Sequence, residues 1–335
     1  MFQVICIGST SKDIFFPTKE GVVFDTPEDI TAQKKITFEL GAKYHIEDRF
    51  ESVGGCAVNV ACGLQRLNIQ SSCYTVLGND ADGEWIENEL KKEKVETNLI
   101  KKENCLSGLS AIVIDKNSGE RIIFSNQEAN ERLNVTIAEI LSFPWIAVSD
   151  PSGDWRDILK KVAETSAQTD AKISFTPRGK NIVEDAAAVY AFAGKTELFF
   201  VNKDEAIEIV NRIKGETIEA DKINDEKFLL TELKKSGAKI VIITDGNRGA
   251  WVYDGLEFLH ADAMKIEAVD STGAGDAFFS GFSAGHIKGE SLEESLKMGI
   301  ANSSNVILYY GGKQGLLNSD AIEKKIKKIK IKKLN

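Results

Sequence analysis

Asp270-Ser271-Thr272-Gly273-Ala274-Gly275-Asp276 is the stretch on which the reading of this chain turns. It follows a strand-like approach ending at Val269 and precedes an apolar-rich run, so small residues and a carboxylate meet where a helix begins. Glycines let backbone N–H groups come close to an anion, and a helix N-terminus adds partial positive charge. An acid beside them can take a proton from an attacking hydroxyl. The stretch is therefore the candidate centre for phosphoryl transfer. The helix that carries it is expected over 277–287, with another over 292–308.

Working outward, short apolar runs at 4–7, 72–77, 146–149, 173–175, 198–201 and 240–244 read as buried strands. Helical patterns at 57–67, 82–92, 155–164, 205–213 and 225–235 alternate with them. That alternation predicts an α/β fold with a mainly parallel sheet covered on both faces. Two stretches, 21–52 and 109–125, show β-type alternation with no helix between and predict a small side sheet. In the second, Lys116-Asn117-Ser118-Gly119 is the expected hairpin turn. No fixed-period repeat or Pro/Gly-rich linker divides the chain, so residues 1–335 read as one domain, with side-sheet strands inserted at about 14–53 and 107–126.

Four further motifs sit at strand ends or helix starts. Gly54-Gly55-Cys56-Ala57-Val58-Asn59 places two glycines before a small-residue helix and projects Asn59 from its first turns, where an amide can bind hydroxyls; the same pattern fits a tight loop with close helix packing. Gly8-Ser9-Thr10-Ser11-Lys12-Asp13 follows the first strand, the end at which open α/β sheets hold ligands; Asp13 suits a polyol and equally suits a turn. Asn202-Lys203-Asp204-Glu205 opens a helix after the strand 198–201. Glu205 there fits a hydrated Mg²⁺ ion, which keeps several waters, and also fits ordinary capping. Thr244-Asp245-Gly246-Asn247-Arg248-Gly249 can lie along nucleotide phosphates or form a plain glycine hairpin.

Composition narrows the classes. With 335 residues and 42% apolar content the chain can bury a large core. Its five cysteines form no C-x-x-C pair, which favours reduced thiols in a cytoplasmic protein and disfavours a cysteine-held metal. The apolar start is broken too early by Gly8, Lys12 and Asp13 for a signal-peptide core, and no run approaches membrane-spanning length. A net charge of −9 opposes general attraction to nucleic acid, and the lysine run from Lys324 to Lys333 reads as a solvated helix face. His45, His260 and His286 stand in no hydrolase or zinc spacing.

In this order and spacing the segments resemble the ribokinase-like carbohydrate kinases, the PfkB family, over nearly the whole chain. Residues 54–59 resemble that family's first signature and 270–276 its second; 202–205 matches its N-x-x-E element and 244–249 its nucleotide-side glycine turn. The resemblance implies a three-layer α/β/α fold with a small β-sheet lid, and ATP-dependent transfer of the γ-phosphoryl group to a hydroxyl of a sugar or nucleoside, with sugars favoured. It implies Asp276 as catalytic base and the amides of Gly273, Ala274 and Gly275 as the anion hole. Asp13, Gly54, Gly55 and Asn59 would hold the acceptor, and Asn202 and Glu205 would organise Mg²⁺-bound water. Thr244, Gly246, Gly249 and Asn302 would border the nucleotide. A monovalent cation such as K⁺ near Asp270 and Thr272 is a further family feature, and lid edges suggest a homodimer. The chain departs from the family in a long interval between Asp13 and Gly54, in Cys56, and in Glu128-Ala129-Asn130.

Two other classes compete. A noncatalytic sugar or nucleotide sensor on the same fold would not need the intact Asp276. A nicotinamide-dependent dehydrogenase would share the alternation, but G-x-G-x-x-G is missing after the first strand.

Overall fold

Apolar runs rich in Val, Ile and Phe become the inner strands of one sheet because both of their faces are covered. A computed structural model describes residues 3–26, 34–118, 120–215 and 219–334. Nine strands are ordered Ile331–Leu334, Phe258–Ala261, Ala250–Tyr253, Ile240–Thr244, Leu198–Asn202, Lys172–Thr176, Trp145–Ser149, Gln3–Gly8 and Gln70–Tyr74. The six from Ile240–Thr244 to Gln70–Tyr74 are parallel, and the other three continue the sheet antiparallel. Alternate side chains divide between two cores: Val4 and Cys6 join the one under the helices Cys56–Arg66, Ala274–Ile287 and Leu292–Val306. Ile5 and Ile7 join the other, under Trp155–Thr169, Gly179–Ala193, Lys203–Lys214 and Glu226–Lys234. The result is three layers, α/β/α, as expected.

A second sheet of four strands, ordered Arg121–Asn126, Leu109–Asp115, Ser11–Thr18 and Phe50–Gly54, leaves the main sheet at Gly8 and returns into the helix at Cys56. Asp13 pairs with Ser52 on one side and Ser110 on the other, so this small sheet carries Asp13 beside Gly54. Val22–Asp25 and Lys34–Thr37 form a separate antiparallel pair. Residues 27–33 of the early stretch, and Gly119 of the predicted hairpin turn, lie outside the described residues; the side chain of Asp115 holds the rest of that turn through Asn117 and Ser118.

Three expectations are corrected. The run 72–77 is two strands, because after Tyr74 the chain leaves the main sheet and Val76–Gly78 pairs with Lys101–Glu103. The helix Gly179–Ala193 has no counterpart in the sequence reading; Pro177 precedes it and Asp185 interrupts it with φ −162° and ψ 77°. The lysine run is only partly helical: Ser319–Ile326 is a helix, but Ile331–Leu334 is an edge strand against Phe258–Ala261, where Lys332 pairs with Asp262 and Lys333 with Glu257 and Glu293. Lysines on an edge strand discourage a further strand from docking there.

Candidate active site

Most of the principal helices open on a capping side chain: Asp80, Asp154, Asn202, Asp225, Ser291 and Asn318 each accept from a first-turn N–H. The helices Cys56–Arg66 and Ala274–Ile287 instead follow glycines with no side-chain cap. At Cys56–Arg66 the first amides donate to the hydroxyl and carbonyl of Ser9. At Ala274–Ile287 the Ala274 N–H donates to the Ser271 carbonyl at 3.3 Å, and among the described residues nothing accepts from the N–H of Gly275 or Asp276. Of the three amides expected to form an anion hole, only that of Ala274 is spent on the turn; among the described residues the N–H of Gly273 also has no acceptor.

The glycines of this loop differ in their reasons. Gly273 holds φ 74°, and a Cβ on it would lie 2.3 Å from the Gly312 Cα, so the backbone itself requires glycine. A Cβ on Gly275 would meet nothing within 4 Å. Its missing side chain leaves open space beside the free amides, room that an anion can occupy.

Asp276 stands in the first turn of that helix and lines a cavity of about 220 Å³ together with Cys56, Asp150, Arg178, Asn202, Glu205 and Thr244. Asn59 Nδ2 donates to Asp276 Oδ2 at 2.9 Å. Enclosure outweighs that bond and, with Asp150 and Asp13 adding negative charge nearby, pushes the Asp276 carboxyl up to about 7. Asn59 is buried and its Oδ1 has no partner, leaving an acceptor open next to the carboxylate. The arrangement suits a base poised near neutral pH with an amide beside it to orient a hydroxyl.

Asp13, Gly54 and Gly55 lie side by side. Asp13 is buried, accepts from Ser11 Oγ at 2.6 Å, and is raised by burial. A Cβ on Gly54 would fall 1.9 Å from Asp13 Oδ2, so that glycine makes room for the carboxylate. Gly55, at φ 92°, runs against Ser9 and Thr10. Glu205 and Asn202, which line the cavity, exchange capping hydrogen bonds of 2.8 and 2.9 Å, the reading that competed with a metal role. Burial still lifts the Glu205 carboxyl to about 7, with Asp150 and Asp204 adding to it, which marks a carboxylate short of positive charge.

Among the nucleotide-side residues, Thr244 lines the cavity and Gly246, at φ 44°, has open space where a Cβ would stand. Gly249 is required by the fold, since a Cβ would lie 1.9 Å from the Ala261 carbonyl oxygen. Asn302 is withdrawn from the site. It is buried, its Nδ2 donates to the Ala277 carbonyl at 2.9 Å and to Ser280 Oγ at 3.2 Å, and its Oδ1 accepts from Leu317 N–H at 2.9 Å, so it ties helices together and has nothing left for a nucleotide.

Two cavity residues escaped the sequence reading. Asp150 follows the strand Trp145–Ser149 in a left-handed conformation (φ 51°) and accepts from Ser9 Oγ at 3.0 Å. Arg178 follows Lys172–Thr176, donates to Ser152 Oγ at 3.0 Å and lies 3.6 Å from Asp150. Both stand just beyond the carboxyl ends of parallel strands, the signal that singled out Asp13 and that applied equally here. Asp270 is also more than a loop residue: fully buried, it accepts from Thr272 N–H, Thr272 Oγ1 and Gly311 N–H at 2.9, 2.7 and 2.9 Å.

A carboxylate at a bare helix tip, beside an open glycine and at the carboxyl ends of a parallel sheet, is the setting that the motifs associate with phosphoryl transfer to an alcohol. Residues 3–318 match the pfkB family carbohydrate kinases, and the chain belongs to that family. It is 26% identical over 300 residues to the ATP-dependent 6-phosphofructokinase of Thermoanaerobacterium thermosaccharolyticum, covering 86% of this chain and 89% of that one. The fold is that of the nucleoside kinase of Methanocaldococcus jannaschii (TM-score 0.76, 21% identity, 98% of this chain and 99% of that one). It is equally that of a ribokinase from Cryptococcus neoformans in complex with ADP (TM-score 0.75, 19% identity, 96% and 99%). The ribokinase-like architecture and the kinase class expected from the motifs both hold.

Proposed function

We propose that this protein is a cytoplasmic, ATP-dependent kinase that moves the γ-phosphoryl group to a hydroxyl of a sugar or sugar-like small molecule. The observation that carries the reading is Asp276, lifted to about 7 and hydrogen-bonded to Asn59, at a helix tip whose Gly275 and Asp276 N–H groups are free. Asp276 takes the proton of the attacking hydroxyl, Asp13 and Asn59 orient the acceptor against the glycines at 54 and 55, and the amides at 275 and 276 face the charge that develops on the phosphoryl oxygens. Arg178, anchored on Ser152, adds fixed positive charge to a cavity otherwise lined by Asp150, Glu205 and Asp276.

The donor set fits the cofactors. Oxygen ligands suit Mg²⁺, which enters with the nucleotide and would be steered through water by Glu205 and Asn202; it supplies charge neutralisation between the phosphates. Thr244 and Gly246 would lie along the nucleotide. Asp270, buried among three donors and without a cation partner among the described residues, suits a monovalent ion such as K⁺ near Thr272. Exposed Ile123 and Phe124 on the small sheet support a homodimer through that sheet, which light scattering that finds only monomers would overturn.

The test is incubation with ATP, Mg²⁺ and a panel of ribose, fructose, sugar phosphates, hexonates, adenosine and cytidine, scored by kcat/KM on isolated phosphorylated product. Turnover of a sugar above the nucleosides supports the reading. Nucleosides as the better acceptors would move it to a nucleoside kinase, and closure on ligands with no product on any acceptor would make the protein a sensor.

A further inference from the structure

The small sheet reaches the phosphoryl loop at one side chain. Arg121 opens the edge strand Arg121–Asn126, paired opposite Ile114, and its Nη1 donates to Ser271 Oγ, 150 residues away and two residues before Gly273. Its Nε is buried without a hydrogen-bond partner, and among the described residues Arg121 forms no ion pair. Neighbouring cations are paired: Lys12 on the sheet with Asp82 and Glu51, and Lys116 in the turn after Leu109–Asp115 with Glu47 and Asp48. A second contact ties the same two bodies, since Tyr310 stacks on Phe50 at 4.6 Å and the next residue, Gly311, donates to Asp270.

A half-buried arginine held by one of its donors while its buried Nε has no acceptor is a group prepared for something not yet present. Guanidinium recognises anionic oxygens through two donors at once. We propose that Arg121 is the positioning residue through which the small sheet sets the phosphoryl loop: Nη1 holds Ser271, and Nε is reserved for an anionic oxygen that arrives with the nucleotide. The inference rests on the kinase reading for its ligand but not for the latch itself.

The variants Arg121→Ala, Arg121→Lys, Ser271→Ala and the Arg121→Ala/Ser271→Ala double variant test it, with thermal melts to show that each remains folded. Amide hydrogen exchange of residues 272–276 in the free protein reads the latch. Arg121→Ala and Ser271→Ala should each speed exchange by roughly 5-fold or more, and the double variant no further than either, as expected for two ends of one bond. Unchanged exchange in Arg121→Ala, or additive effects, would overturn the latch. Calorimetric binding of Mg²⁺ with a β,γ-methylene analogue of ATP reads the reserved donor: affinity should fall roughly 10-fold in Arg121→Ala, less in Ser271→Ala, and stay low in Arg121→Lys, whose ammonium lacks the fork. Unchanged affinity in Arg121→Ala overturns that half. Failure of the wild-type protein to bind the analogue counts against the kinase reading, and the exchange result still decides the latch.

Discussion

Replacing Asp276 by Asn should weaken catalysis and strengthen the fold at the same time, and the strengthening should depend on pH. The folded protein holds this carboxyl at about 7 where the ordinary value is 3.8, so between those values the folded state keeps a proton that the unfolded chain has lost. Stability from this group is therefore fully present below about 4 and is lost as the pH rises through 7. Lifting a carboxyl that far corresponds to about 4 kcal/mol at 1.36 kcal/mol per tenfold change; solvent at the cavity mouth screens part of it, and ~2 kcal/mol is the expected gain at pH 8. Asn keeps the shape, and its Oδ1 can still accept from Asn59 Nδ2, so that bond survives the change.

For a chain of 335 residues, ~2 kcal/mol raises Tm by about 3 °C when the size dependence of unfolding entropy is extended to this length. Melts of both proteins from pH 4.5 to 8.5 should show a gap that opens as the pH rises and levels off above 7. On the acceptor that the wild type phosphorylates best, kcat should fall by about 10²–10⁴-fold, the usual worth of a positioned base. The wild-type kcat/KM should itself decline as the pH drops below about 7, the limb that the variant lacks. A gap of equal size at pH 5 and pH 8 would refute the enclosed, charge-starved carboxylate. Near-wild-type turnover would refute its role as base.

The remaining expectations follow from the same geometry. Gly275→Ala should fold normally, because nothing stands within 4 Å of the added Cβ, yet lose about 10²-fold or more in kcat by filling the space beside the free amides; Gly273→Ala should instead lose about 2 kcal/mol of stability from its φ of 74° and the clash with Gly312, and thermal melts that rank them the other way would contradict the division of roles. Glu205→Gln keeps the capping geometry but not the charge, so the Mg²⁺ concentration for half-maximal rate should rise by roughly 5–10-fold; an unchanged metal titration removes Glu205 from the metal site. Lys313 is buried between Glu89 at 2.9 Å and Glu93 at 3.5 Å, directly after the Gly312 that packs on Asn59 and Gly273, so Lys313→Met should reduce stability by ~2–3 kcal/mol, read by urea unfolding.

What the sequence made legible is what local chemistry alone decides. Strands buried on both faces announce themselves as unbroken apolar runs, and the bare glycine before an acid at a helix start needs no third dimension to be recognised. The strand at 72–77 was misjudged because apolarity continues through Thr75 while the pairing partner changes from Gln3–Gly8 to Lys101–Glu103. The helix Gly179–Ala193 stayed hidden because its alanine-rich sequence carries little periodicity and a break at Asp185 divides it. Asp150 and Arg178 were passed over although each follows a run that had been read as a strand; their meaning came only with the parallel order that brings those strand ends to one cavity.

Two asparagines show where sequence reasoning stops for a physical reason. Asn59 and Asn302 both lie on helices that pack around Ala274–Ile287, both are buried, and both were assigned to ligands. The amide of Asn302 is engaged by Ala277 and Ser280 of the helix Ala274–Ile287 and by Leu317 of a separate segment. The amide of Asn59 spends its nitrogen on Asp276 and leaves Oδ1 open. A buried amide serves a ligand only with the capacity its own fold has not consumed. That remainder is fixed by contacts 15 to 217 residues away in sequence, so no local pattern around either asparagine can report it.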